Sequence, residues 1–166
     1  TNHANRGKSF EKLIEDTNAI YEVEKLGLIQ KIPNEWIVQR RGPQIVNAFT
    51  RSKSTVDFIG IIHTGQSISF EAKQTANKTS FPLSNIKPHQ IEYLTKFEQM
   101  KGIAFFLINF STFGRTYILP IIKLNEYIQK NDSKSIPLSF FEENTIEVYR
   151  TATKPIDYLS PILKLL

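Results

Sequence analysis

Thr55-Val56-Asp57-Phe58-Ile59-Gly60-Ile61-Ile62, then His63-Thr64-Gly65, then Ser67-Ile68-Ser69-Phe70-Glu71-Ala72-Lys73 organise the rest of the chain. The first run is apolar and β-branched, and the last alternates strictly, so both read as strands. Alternation sends Ile68, Phe70 and Ala72 to one face and Ser69, Glu71 and Lys73 to the other. His63-Thr64-Gly65 suits a three-residue hairpin loop with Gly65 in the left-handed position. With that loop, positions whose numbers sum to 128 lie opposite each other, which sets Asp57 across from Glu71. Cβ atoms so placed are about 4.5–5.5 Å apart, and like charges there destabilise a sheet by up to about 1 kcal/mol. A two-residue loop would instead put the two carboxylates on opposite faces.

Upstream, Arg6 to Lys25 predicts a helix, with Phe10, Leu13, Ile14, Thr17 and Tyr21 on one face and Gly27 as its C′ residue. Ile32 to Ser54 shows no clean period; it holds Pro33, Trp36, Gly42, Pro43, Phe49 and the bases Arg40, Arg41, Arg51 and Lys53. A stretch this long without an element is expected to be functional or to protrude. Downstream, Gln74 to Lys87 reads as polar loop, and Pro88 opens a helix that runs to about Lys101 and stops at Gly102. Ile103 to Phe110 and Thr116 to Ile122 read as strands, the first apolar enough for burial on both faces. Leu124 to Lys130 and Phe140 to Asn144 read as short helices and Thr145 to Tyr149 as a last strand. The pattern is α/β, with helices flanking a mixed sheet in a single domain over residues 1–166.

The 166 residues carry 21 Lys and Arg against 16 Asp and Glu, a net charge of +5, with 40% hydrophobic residues, so a folded domain is expected and a disordered chain excluded. There is no Cys, which excludes disulfides, a Cys-ligated zinc and a cysteine nucleophile. Residues 1–8 are polar and resemble no signal peptide. The longest apolar run, Ile103 to Ile108, is far short of the ~20 residues a membrane span needs, so a soluble cytoplasmic protein with no membrane partner is expected. The mild positive excess points toward polyanions.

Asp57, Glu71 and Lys73 are the residues that carry chemistry. Two close carboxylates need a proton on one of them or a cation between them, and oxygen ligands of this kind suit Mg²⁺ or Mn²⁺. Lys73, two residues past Glu71 on the same face, can stabilise charge on a phosphate or help deprotonate a water. The alternative is a solvated polar face with a surface salt bridge of little worth. An uncompensated charge in an otherwise apolar strand is costly, and Asp57 therefore favours function. Gln90 can add a side-chain oxygen to a metal or be an exposed helix residue, and Glu11 is a first-helix carboxylate of either kind. His3, His63 and His89 show no metal spacing, and the chain has neither a phosphate-binding P-loop nor a nucleophile elbow.

Asn5-Arg6-Gly7 with Glu11, Ser54 to Gly60, Phe70-Glu71-Ala72-Lys73, Asn77 to Leu83, His89-Gln90, Gly102 to Phe105 and Ile136 to Phe140 together resemble the RecU Holliday junction resolvases. A chain beginning close to Asn5 resembles a phage-encoded or trimmed member. The resemblance implies a restriction-endonuclease-like fold of the PD-(D/E)xK nuclease class: a central mixed sheet flanked by helices, with a projecting stalk at about residues 32–54. It implies a homodimer that cuts opposing strands of four-way junction DNA in recombination and repair, alongside host or phage recombination proteins. Carried over by position, Asp57, Glu71 and Gln90 would bind Mg²⁺, with Mn²⁺ as a substitute, Lys73 would stabilise the transition state, and Glu11 would be a further catalytic residue. Arg6, Arg40, Arg41, Arg51, Lys53 and Lys78 would contact DNA. The sequence departs from the pattern at Val56, where many relatives carry a Thr that helps at the metal. The alternatives are a non-catalytic junction-binding module on the same fold and a nuclease with another branched-DNA target.

Overall fold

The structure is a computed structural model that describes residues 9–33, 36–50 and 55–166. Helix α1 (Phe10–Val23) begins where Ser9 caps it, its Oγ accepting the Lys12 N–H, and turns Phe10, Ile14, Thr17, Asn18 and Tyr21 inward. It is shorter than the Arg6–Lys25 expected. Lys25, at φ 59, takes the left-handed position assigned to Gly27, which instead opens strand β1 (Gly27–Lys31).

The segment expected to lack elements holds strands β2 (Trp36–Arg41) and β3 (Gln44–Thr50), joined through Gly42 at φ 62. Among the described residues they pair antiparallel with each other alone, as a separate two-stranded sheet. Every described side chain from Ile37 to Phe49 is exposed, Ile45 and Val46 at 58% each. With neither face buried the sequence shows no alternation, which is why no strand was expected here.

The main sheet has the order β1-β4-β5-β7-β8-β10, with β4 Phe58–Ile62, β5 Ser67–Thr75, β7 Ile103–Phe110, β8 Arg115–Pro120 and β10 Ile146–Val148. The β5–β7 pair is parallel and the other pairs are antiparallel, so the sheet is mixed as expected. A parallel pair needs a long crossover, supplied by helix α2 (Pro88–Gln99), with Pro88 in its first turn. The β4–β5 register places Phe58 opposite Phe70, the pairing that the three-residue loop predicts, and Gly65 sits at φ 87. Gly60 is required by the neighbouring strand: a Cβ there would lie 2.2 Å from the Leu28 carbonyl oxygen.

The expected polar loop after β5 contains a short strand, β6 (Ser80–Pro82), paired with β9 (Ser135–Pro137). The strand expected to reach Ile122 stops at Pro120, whose ring cannot extend the ladder, and helix α3 (Ile121–Lys130) starts there. Helices α4 (Leu138–Asn144) and α5 (Leu159–Leu163) complete the chain. Among the described residues no helix is long and apolar enough to cross a membrane.

Each face of the sheet buries its own core. On the α1 side, Phe58, Phe70 and Phe105 stack across three strands with centroids 4.8 Å apart, under Ile14, Tyr21 and Tyr158. On the α2 side, Phe106, Ile108, Phe110 and Leu119 pack with Val56, Phe81 and Phe141. β7 is buried along nearly its whole length between them.

Candidate active site

The alternation of β5 turns Glu71 and Lys73 toward α2, and the hairpin register carries Asp57, just before β4, to the same place. The Asp57 N–H donates to Glu71 Oε2 at 3.0 Å, and the Ala72 N–H donates to Asp57 Oδ2 at 3.2 Å. Both carboxylates are buried, Asp57 at 5% exposure and Glu71 at 4%. Lys73 Nζ lies 3.1 Å from Glu71 Oε1, and Gln90 Nε2 donates to the same oxygen at 2.6 Å. Burial, and then the charge of Asp57, push the Glu71 carboxyl up to about 7, with Lys73 opposing. The acids thus meet as the sequence spacing requires, and their repulsion is only partly offset by the lysine.

Gln90 is fixed from both ends. Its Oε1 accepts the Lys87 N–H at 2.9 Å, closing the first turn of α2, while its Nε2 holds Glu71. In this arrangement the amide nitrogen of Gln90 faces Glu71, and its oxygen, the atom expected to serve a metal, faces the Lys87 N–H. Val56, the departure noted in the sequence, is fully buried among Phe106-side core residues and contributes packing beside Asp57.

Glu11 belongs to the α1 side. It pairs with Lys31 at the end of β1, and Glu15 lies 3.8 Å from the same ammonium. The bond to Glu11 is the main cause that raises the Lys31 pKa, and the charge of Asp57 adds to it, so the Glu11–Lys31 pair lies close enough to feel the carboxylate site. The Asp57 carbonyl also accepts the Ile32 N–H at 2.7 Å, tying the end of β1 to the site. Lys31 was not singled out in the sequence; finding it requires β1 to be recognised as the neighbour of β4.

Arg40 and Arg41 ride on β2 beside the hairpin turn, exposed, and Lys78 is exposed in the loop between β5 and β6. Arg6, Arg51 and Lys53 lie outside the described residues. Among the described residues no three His, Asp or Glu side chains converge as a metal cluster. The donor set is two buried carboxylates with a lysine beside them, hard oxygen chemistry that fits a small divalent cation and no soft metal.

The profile of the RecU family, Recombination protein U, matches residues 5–164. This chain belongs to the RecU family. It is 38% identical over 170 residues to the Holliday junction resolvase RecU of Streptococcus mutans serotype c, covering 98% of this chain and 86% of that one. To the Holliday junction resolvase RecU of Streptococcus pneumoniae strain Hungary19A-6 it is 39% identical over 168 residues, covering 97% of this chain and 84% of that one. Among solved structures it is similar to Hjc, a Holliday junction resolvase of Archaeoglobus fulgidus, with TM-score 0.47 and 10% identity over 82% of this chain and 94% of that one. RecU membership bears out the resemblance drawn from the stretches Asn5–Gly7, Phe70–Lys73 and Asn77–Leu83. In this RecU chain the carboxylate pair sits at the same hairpin that organised the sequence reading.

Proposed function

We propose that this chain is a divalent-metal-dependent endonuclease that resolves four-way DNA junctions by paired, symmetric nicks. The observation that carries the reading is the buried Asp57–Glu71 pair with Lys73 in contact, a charge arrangement that is unfavourable for folding and useful for phosphodiester chemistry. Similarity to relatives named Holliday junction resolvases supports the junction as substrate. Asp57 and Glu71 would hold Mg²⁺, with Mn²⁺ as a substitute. That ion supplies Lewis-acid neutralisation of the phosphate and activation of the attacking water.

The chain's own groups do the rest. Lys73 releases its contact with Glu71 to face the non-bridging phosphate oxygens, where a fixed cation is worth most as charge develops. Gln90 keeps the Glu71 carboxylate in one rotamer, so the site is ordered before substrate arrives. Glu11 holds Lys31 at the rim, ready to exchange a carboxylate for a phosphate. Arg40 and Arg41 on the hairpin, together with Arg6, Arg51, Lys53 and Lys78, would grip backbone phosphates, which position the DNA without reading its bases. Two symmetric cuts need two such sites, so the active species is a homodimer, working in the cytoplasm with recombination proteins.

The test is a set of single variants. Asp57→Asn, Glu71→Gln and Lys73→Ala should each lower junction cleavage by roughly 100-fold or more while leaving junction affinity nearly unchanged. Affinity lost in parallel with cleavage would contradict this assignment. Wild-type binding with no cut strands would favour the non-catalytic binding module, and equal cutting of flaps or duplex ends would favour another branched target.

A further inference from the structure

On the face of the sheet opposite the carboxylates, the apolar core gives way to a polar row. Gln74, Asn109 and Thr116 are register neighbours on β5, β7 and β8. Gln74 Nε2 donates to Asn109 Oδ1 at 2.9 Å, and Asn109 Nδ2 donates to Thr116 Oγ1 at 3.0 Å. Asn109 and Thr116 are buried, at 8% and 5% exposure, in a position where the same strands otherwise present Phe70, Phe105, Leu107 and Ile118. The row satisfies its own buried groups and ends on the exposed Gln74, which carries an amide to the surface of the sheet.

The row floors a cleft of about 400 Å³, within the size range of small-ligand sites, rimmed by Ser111, Gly114, Tyr149 and Arg150. Glu147, the one acid on the rim, is held by Arg115 through two hydrogen bonds of 2.8 and 3.0 Å. With that pair cancelled, Arg150 leaves the cleft one net positive charge, and the row adds donors and acceptors, chemistry that suits a nucleotide with its planar base on the amides. Tyr149, 69% exposed, has its hydroxyl anchored on Glu147 at 3.0 Å and offers a ring for stacking. Gln74 directly follows Lys73 on β5, so the cleft and the carboxylate site open at the same end of the sheet, one on each face.

We propose that this cleft receives an unstacked nucleobase of the DNA strand whose backbone runs past Lys73. The amide row reads the base edge and Tyr149 stacks on its face, giving the reaction a preference for the nucleotide near the cut. The inference rests on the endonuclease reading above and adds a base-recognition site to it.

Junctions carrying 2-aminopurine at single positions around the crossover test it, bound to full-length Glu71→Gln protein so that no strand is cut. One strand position should show a saturable fluorescence change. Gln74→Leu and Tyr149→Ala, each added to that background, should abolish the change while junction affinity stays within about threefold. In the otherwise wild-type protein, both substitutions should redistribute cutting among junction positions without lowering total cleavage. Mg²⁺-dependent cleavage with no responding position, or a response identical in both variants, would overturn the cleft assignment and leave the endonuclease reading intact. Saturable binding of free deoxynucleosides without any response in junction DNA would overturn the DNA base as occupant. Absence of junction binding by the wild-type protein would remove both readings together.

Discussion

Glu71 is held at three points, the Asp57 N–H on one oxygen and Lys73 and Gln90 on the other, against the like charge of Asp57 beside it. Gln90 bonds Glu71 and the Lys87 N–H, so its role is read through Glu71. Gln90→Ala leaves the Lys87 N–H and one carboxylate oxygen short of a partner, and should raise the Mg²⁺ concentration for half-maximal cleavage roughly 10–100-fold. Recovery of full activity in saturating Mg²⁺ would mark a positioning role, and an unchanged Mg²⁺ requirement would exclude it. The raised Glu71 carboxyl also makes a stability prediction. Its folded pKa of about 7 lies above the ordinary carboxylate value of about 4.3, so between these the folded state holds more protons than the unfolded one. Stability of the metal-free protein should therefore fall as pH rises from about 5 to about 7, and Glu71→Gln should flatten that fall in a Tm-versus-pH series. A metal-free Tm that rises over this interval would contradict the burial of a strained pair. The pair itself was legible in the sequence because one Gly-containing turn sets a register, and a register sets which side chains meet. Lys31 was not, because its relevance passes through a strand pairing distant in sequence.

At the scale of elements, the β2–β3 hairpin stands apart. It pairs with no strand of the main sheet, and its described side chains are exposed on both faces. A lone two-stranded hairpin is marginal in water, so its order is expected to come from what it binds. Replacing residues 37–49 with a short Gly-Ser linker should leave Tm almost unchanged and remove the preference for a four-way junction over duplex, measured by competition binding. A large fall in Tm would show that the hairpin supports the fold, and retained preference would place junction recognition elsewhere. The sequence showed this region only as a gap between periodic segments, since exposure on both faces erases the alternation by which strands are recognised. Where one face is apolar, as in β5, or both, as in β7, pattern and element agree closely. The short β6–β9 pair was invisible for a related reason: three residues are too few to display a period, and the pairing joins segments about a third of the chain apart.

Across the whole molecule, the mixed sheet separates two tasks. The α1 face holds the larger aromatic stack and the cleft beneath Tyr149, while the α2 face holds the carboxylates, and β5 contributes consecutive residues to both. α2 does double duty, since the crossover that makes β5 and β7 parallel also delivers Gln90 to Glu71. Chemistry therefore depends on sheet topology and not on a detachable loop, which is why the residues of the hairpin and of α2 appear together in the sequence as one continuous pattern from Phe70 to Gln90. The central claim is that this assembly cuts junctions, and a labelled four-way junction incubated with the purified full chain tests it most directly. On a denaturing gel, paired nicks at symmetric positions should appear with Mg²⁺ and vanish with EDTA. Tight junction binding with every strand intact in Mg²⁺ and in Mn²⁺ would contradict the account.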